Sequence, residues 1–107
     1  MSTENKKEAE KIVVSVEAKF EKQLATYIEK RRRDVSEIAG SIGKGDYDSI
    51  KMLGGGIKKS ADNFGIEALS QLGKALETAA AIKDSGKIKT VVDDLASFLN
   101  RLSIEYV

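Results

Sequence analysis

The absence of proline from all 107 residues constrains this chain more than any other feature. Proline is the residue that breaks a helix interior outright. Without it, only glycine and capping side chains punctuate the sequence, and between them apolar residues recur at spacings of three and four. The pattern predicts an all-α protein. A first helix is expected from near Glu17 or Phe20 to about Ile42, with Leu24, Tyr27, Ile28, Val35, Ile38 and Ile42 on one face, ended by Gly43 and Gly45. Asp46 is placed to cap a second helix, with Asp48 adding favourable charge in its first turn. That helix is expected to reach about Asn63, with Ile50, Leu53, Ile57, Ala61 and Phe64 inward. Gly65 marks a turn, after which Leu69, Leu72, Leu76 and Ala79 or Ala80 define a third helix ending before Ser85-Gly86. A fourth carries Ile88, Val91, Val92, Leu95, Phe98, Leu99 and Leu102.

Four amphipathic helices with short connections predict one domain, an antiparallel up-down-up-down four-helix bundle over residues 17–107. Residues 1–16 are expected to be a flexible or short extended segment. Ile12, Val14 and Val16 alternate with Val13 and Ser15, and Leu102, Ile104 and Tyr106 alternate in the same way. Two outcomes fit: both tails are helix ends, or they pair as a small ribbon.

Composition removes several function classes. No cysteine and no histidine are present. Thiolate metal sites are therefore excluded, along with the commonest metal ligand and the commonest general base near neutrality. A net charge of +1 gives no global field to hold a polyanion, so no nucleic-acid partner is expected. No secretory signal and no run of about 20 apolar residues are visible, and a cytoplasmic protein without a membrane partner is expected. No cofactor and no metal are expected either. Asp93-Asp94 and Asp46/Asp48 are read as capping and solvated carboxylates, because no third ligand follows them. Lys30-Arg31-Arg32-Arg33 is read as a solvated face flanked by Glu29 and Asp34.

Within the second helix, Gly54-Gly55-Gly56 runs against helix propensity at a cost of about 2 to 3 kcal/mol. At 100° per residue, Gly55 points away from the core defined by Leu53 and Ile57, and Lys51, Gly55, Lys58 and Asp62 fall along one exposed ridge with Lys59 beside it. The glycines are either the relic of a degenerating helix or a flat patch that admits a partner's backbone. Neither the Walker pattern nor the dinucleotide glycine pattern fits, since Leu53, Lys58 and Lys59 stand where glycine is required.

Leu53-Gly54-Gly55-Gly56-Ile57-Lys58-Lys59-Ser60, continued by Ala61, Phe64-Gly65, Leu69, Leu72-Gly73 and Leu76-Glu77, resembles the central helix of the histidine phosphotransfer (HPt) domain family. That family is a four-helix bundle with the pattern Leu-Gly-His-x-hydrophobic-Lys-Gly-Ser. Tyr27 to Val35 and Gly45-Asp46-Tyr47 are similar to one bacterial branch, so the likeness covers most of the chain from Phe20 onward. Gly55 takes the place of the phosphorylated histidine, Lys58 that of the family lysine, and Lys59 that of a family glycine. The resemblance implies a module of two-component signalling that docks a receiver domain or a histidine kinase without accepting phosphate. It implies no enzyme activity through histidine. Candidate partner-binding residues are Lys51, Gly54, Gly55, Gly56, Lys58, Lys59 and Asp62. Lys59 is expected to reach an acidic receiver pocket, and stronger binding by Lys59→Gly would instead mark it as an obstruction. The competing expectation is a structural or oligomerising helical bundle outside phosphorelay signalling. An enzyme built on Ser60, Lys58 or a carboxylate ranks last, because no base, orienting group and oxyanion site can be assembled.

Overall fold

The computed structural model describes residues 10–107. The expected frayed stretch from Met1 lies outside them as far as residue 9. The described chain is mostly helical: α1 (Glu21–Lys44), α2 (Tyr47–Phe64), α3 (Glu67–Ala81) and α4 (Ser85–Arg101), with a 3-10 turn over Ala18–Phe20. Two short strands, β1 (Ile12–Val16) and β2 (Leu102–Tyr106), flank the helices and pair with each other.

The strands settle the question left by the two tails. They are parallel, with Ile12 opposite Leu102 and Val16 opposite Tyr106. Parallel neighbours need a long crossover, and here the four helices supply it. Val107 N donates to Val16 O at 2.9 Å and Ala18 N donates to Val107 O at 3.0 Å, which continues the ladder past the strand ends. The period of two is visible in burial: Ile12, Val14 and Val16 turn inward while Val13 and Ser15 are exposed. Leu102 therefore begins a strand and is not the last inward residue of α4.

Three helix ends explain the short connections. Gly45 N donates to Ile42 O and Asp46 N to Ser41 O; Gly65 N donates to Asp62 O and Ile66 N to Ala61 O; Lys83 N donates to Ala80 O and Asp84 N to Ala79 O. Each pair satisfies two carbonyls that the helix leaves open, in the Schellman arrangement. The turning residue adopts positive φ, at 69° for Gly45 and 76° for Gly65, where glycine avoids a Cβ clash. Lys83 takes φ 56° without that advantage. Gly43, expected to help end the first helix, lies inside α1.

The residue after each turn then starts the next helix. Asp46 accepts from Ser49 N at 3.2 Å and from the Ser49 hydroxyl at 2.7 Å, and Asp84 accepts from Lys87 N at 3.0 Å. The Ser49 hydroxyl and amide hold the Asp46 carboxyl below its ordinary range. A group whose folded value is lowered contributes stability that is present above the ordinary carboxylate pKa and is lost as pH falls through the lowered one. Asp46→Ala is thus expected to lower the thermal midpoint near neutrality, and the gap to wild type should close on acidification through the carboxylate range. A gap independent of pH would show that the charge of the cap is irrelevant.

The core is continuous across all four helices and β1, and includes Val16, Leu24, Ile38, Ile57, Leu76 and Leu99. α2 and α3 pack more closely than any other helix pair. On α3, Ser70 and Gly73 are buried while Leu72 is half-buried, so the inward face is displaced toward smaller residues than the leucine spacing suggests.

Candidate functional site

The three consecutive glycines face three environments. Gly54 is buried against α3. A Cβ built there would stand 2.6 Å from Glu77 N and 2.8 Å from Gly73 O. Gly73 reciprocates, since its Cβ would meet Lys58 N at 2.6 Å and Gly54 O at 2.8 Å. Real Cβ atoms do not approach backbone so closely, so the two glycines together set the separation of α2 and α3. This corrects the placement of Gly54 on a partner-facing surface: its missing side chain serves internal packing.

Gly55 is half-buried and lies under the side chain of Glu77, whose Oε2 is 2.9 Å from the position a Cβ would take. Gly56 is exposed, with nothing within 4 Å of its would-be Cβ. Around them runs an open groove of about 670 Å³, with Lys51, Lys59, Asp48 and Glu77 as its charged groups, Met52 as its apolar wall and Gly55 and Gly56 as its floor. Met52 is 78% exposed, an unusual setting for a large apolar side chain.

Of the candidate partner-binding residues, the structure brings together Lys51, Gly55, Gly56 and Lys59. Lys58 and Asp62 do not line the groove. Lys58 is half-buried with its backbone amide against Gly73, and Asp62 is exposed further along α2. Sequence reasoning missed Glu77 and Met52 as groove residues. The signal for Glu77 was available: once Gly73 is paired with Gly54, the residue four positions after Gly73 falls one turn further along α3, over Gly55.

On the other side of α2, toward α1, lies a second groove of about 420 Å³ that shares Met52 and Gly56 with the first. Its polar wall is Lys30, Arg31, Tyr27 and Ser60. Arg31 is only 7% exposed and Asp34 4%, which overturns part of the solvated-face reading of this basic run. Arg31 Nε approaches Asp34 Oδ2 to 2.6 Å, as an ion pair whose angle falls outside hydrogen-bond geometry. The guanidinium carbon stacks 4.6 Å above the Tyr27 ring. Arg32 donates to Leu99 O at 3.2 Å, near the C-terminus of α4, where a cation is favourable. Lys30 and Arg33 are exposed as expected.

Burial raises the Asp34 carboxyl above its ordinary value, against the opposing pull of Arg31. Tyr27 also stacks on Phe64 at 4.9 Å, and Phe64 meets Phe20 edge-on at 5.3 Å. The Ser60 hydroxyl shares a 2.7 Å hydrogen bond with Tyr27 Oη and donates to Gly56 O at 2.8 Å. Ser60 is thus engaged in holding α1 against α2.

The Gly55 groove is lined by amines, carboxylates, a thioether and bare backbone, with no hydroxyl, thiol or imidazole. Neither Lys51, Lys59 nor Glu77 forms an ion pair among the described residues, where the pairs are Lys19–Glu17 and Arg31–Asp34. Among the described residues no group of three or more Asp or Glu is arranged to hold a metal ion, and no helix is long and apolar enough to cross a membrane. Comparison of the chain with protein-family models, with curated proteins and with solved structures gives no match.

Proposed function

We propose that this protein is a noncatalytic, HPt-like interaction module of two-component signalling, which docks a receiver domain or a histidine kinase in the cytoplasm without taking up phosphate. Three things support this reading. The α2 sequence resembles the HPt central helix over Leu53 to Ser60 and beyond. The four helices and their short connections suit the antiparallel up-down-up-down bundle of that family. The observation that carries most weight is the position of Gly55, the residue that takes the family histidine's place: it forms the floor of an open groove flanked by Lys51 and Lys59.

The groove also fits a module without phosphotransfer. Gly55 offers no nucleophile, and the Glu77 carboxylate lies where a side chain at position 55 would begin. A phosphoryl group there would meet a negative charge at close range, which is unfavourable in a partly desolvated site. Lys51 and Lys59 remain available to an acidic partner surface, and the bare backbone of Gly55 and Gly56 permits close approach. Lys59, beside the floor, is placed for the acidic-pocket contact expected of it, while Lys58, in the family lysine's place, lies outside the groove.

The reading is tested by calorimetric titration with purified receiver domains from the same cell, with and without a phosphoryl mimic, comparing wild type with Gly55→Glu. The added side chain meets only the movable end of Glu77, so the fold should tolerate it. Saturable binding by wild type is expected, weakened at least tenfold by the added bulk and charge, about 1.4 kcal/mol. Binding unaffected by Gly55→Glu would remove the groove from the interface.

One observation favours the second reading, an oligomerising bundle. Val13 is 61% exposed on β1 and Val107 71% exposed beside β2, in a sheet of only two strands. Strand edges of this kind pair readily with other chains. A concentration-dependent mass in sedimentation equilibrium, abolished by Val13→Lys, would favour that reading over receiver docking.

A further inference from the structure

We propose that the groove between α1 and α2, walled by Arg31, Lys30 and Tyr27, is a carboxylate-binding subsite that receives an acidic side chain of a docked protein partner. The inference deepens the docking reading and rests on it for the identity of the partner, while the subsite itself can be tested alone.

Arg31 is the starting point. Its side chain is 8% exposed, which is expensive for a cation unless the charge has work to do. Asp34 engages it through Nε, and Tyr27 supports the face of the guanidinium. Nε is the one nitrogen of Arg31 that is sealed from solvent without a hydrogen bond, and Arg31 forms part of the groove wall. A planar fork held from behind by a carboxylate and from below by a ring is already ordered, so little rotamer entropy is lost when it grips a ligand. A carboxylate matches that fork with two parallel charge-assisted bonds.

The surroundings select the sign of the ligand. Lys30 adds a second cation to the wall, and no carboxylate lines this groove, in contrast to the Gly55 groove with Asp48 and Glu77. Asp34 is sealed beneath Arg31 at 4% exposure. The bare backbone of Gly56 and the side chain of Met52 belong to both grooves, which makes them one surface across α2. A protein partner laid over Gly55 and Gly56 therefore reaches Arg31 without rearrangement of the helices. This accounts for Gly56, which no packing contact requires.

The test uses the full chain, labelled for NMR at the backbone amides and the arginine guanidinium groups, and titrated with an acetylated, amidated Asp/Glu hexapeptide. Inorganic phosphate and a lysine-containing peptide of equal length serve as comparisons. Saturable shifts of the Arg31 guanidinium and Gly56 amide are expected with the acidic peptide alone. Lys30→Glu, at an exposed site, should weaken them about tenfold with the rest of the spectrum unchanged. Arg31 signals that stay silent, or that respond to phosphate as strongly as to the peptide, overturn the carboxylate subsite. A receiver that shifts Gly55 and Lys59 but leaves Arg31 silent overturns this subsite and leaves the docking reading standing. Peptide binding at Arg31 with no receiver binding at all supports the subsite and sinks the receiver reading.

Discussion

Asp34→Ala is expected to destabilise the protein by about 3 kcal/mol, the low end of the range for breaking a buried ion pair. The loss comes from the packing of the Asp34 side chain, 4% exposed, and from Arg31 Nε, which is sealed from water and left with no oxygen beside it. Contact of the guanidinium with the α1–α2 groove keeps the cost from being larger. The double replacement Arg31→Met/Asp34→Leu should recover most of the loss, because apolar side chains of similar volume carry no desolvation cost. Urea denaturation of the two variants measures both effects. A double variant no more stable than the single one would mean that the pair's packing, and not its charge, supports this region.

The pair also has a pH signature. Burial raises the folded value of the Asp34 carboxyl, with Arg31 opposing. A carboxyl with a raised folded value contributes stability that is fully present below its unfolded pKa and lost as pH rises through the folded one. Wild type should therefore gain stability relative to Asp34→Asn as pH falls through the carboxylate range. That is the opposite direction from the Asp46 cap, whose carboxyl is held low.

The second large effect is at Gly54. Alanine is the better helix former by about 1 kcal/mol, yet Gly54→Ala is expected to lose about 2 to 3 kcal/mol. Its new methyl would stand 2.6 Å from Glu77 N, 2.8 Å from Gly73 O and 3.1 Å from Glu77 Cα, all backbone atoms that cannot turn aside. Relief requires α2 and α3 to move apart, which loosens the tightest seam in the core. Gly73→Ala should behave alike, and the two together should cost less than their sum because one separation accommodates both methyls. Two residues along the same helix the sign reverses: Gly56→Ala meets nothing within 4 Å and should stabilise by about 1 kcal/mol. Equal responses at Gly54 and Gly56, measured by thermal or urea unfolding, would refute the division of labour among the three glycines.

Much of the helix plan was legible in the sequence because its punctuation is local chemistry. Gly45 and Gly65 turn left-handed, and Asp46 accepts the amides of the first turn of α2. These depend on a few neighbouring residues. The parallel strand pair was readable only as an alternation of Val and Ile, since its partner lies across the whole chain and sequence period carries no information on who pairs with whom. The site divided in the same way. Helical angle put Lys51, Gly55, Lys58 and Asp62 on one ridge with Lys59 beside it; Lys51, Gly55 and Lys59 line one groove, and Lys58 and Asp62 do not. The same angle sets Gly54 beside the inward residues and Gly55 opposite them, but it could not show that Gly54 meets Gly73, because that depends on the register of α3 against α2. Arg31 looked like one of four equivalent basic residues, although the apolar face of α1 passes close by it, as Leu24 and Ile28 show. Its partners Tyr27 and Asp34 lie on the same helix at spacings of four and three, a signal the sequence offered, while the depth of burial is set by packing against the other helices.

The most direct test of the docking account is to titrate the labelled protein with an unlabelled receiver domain and map which amides move. The account predicts that the largest shifts fall on Lys51, Gly55, Gly56 and Lys59, with the buried Gly54 and the strand residues Ile12 to Val16 little affected. Shifts concentrated on β1 and β2, or none from any receiver of the same cell, would contradict it.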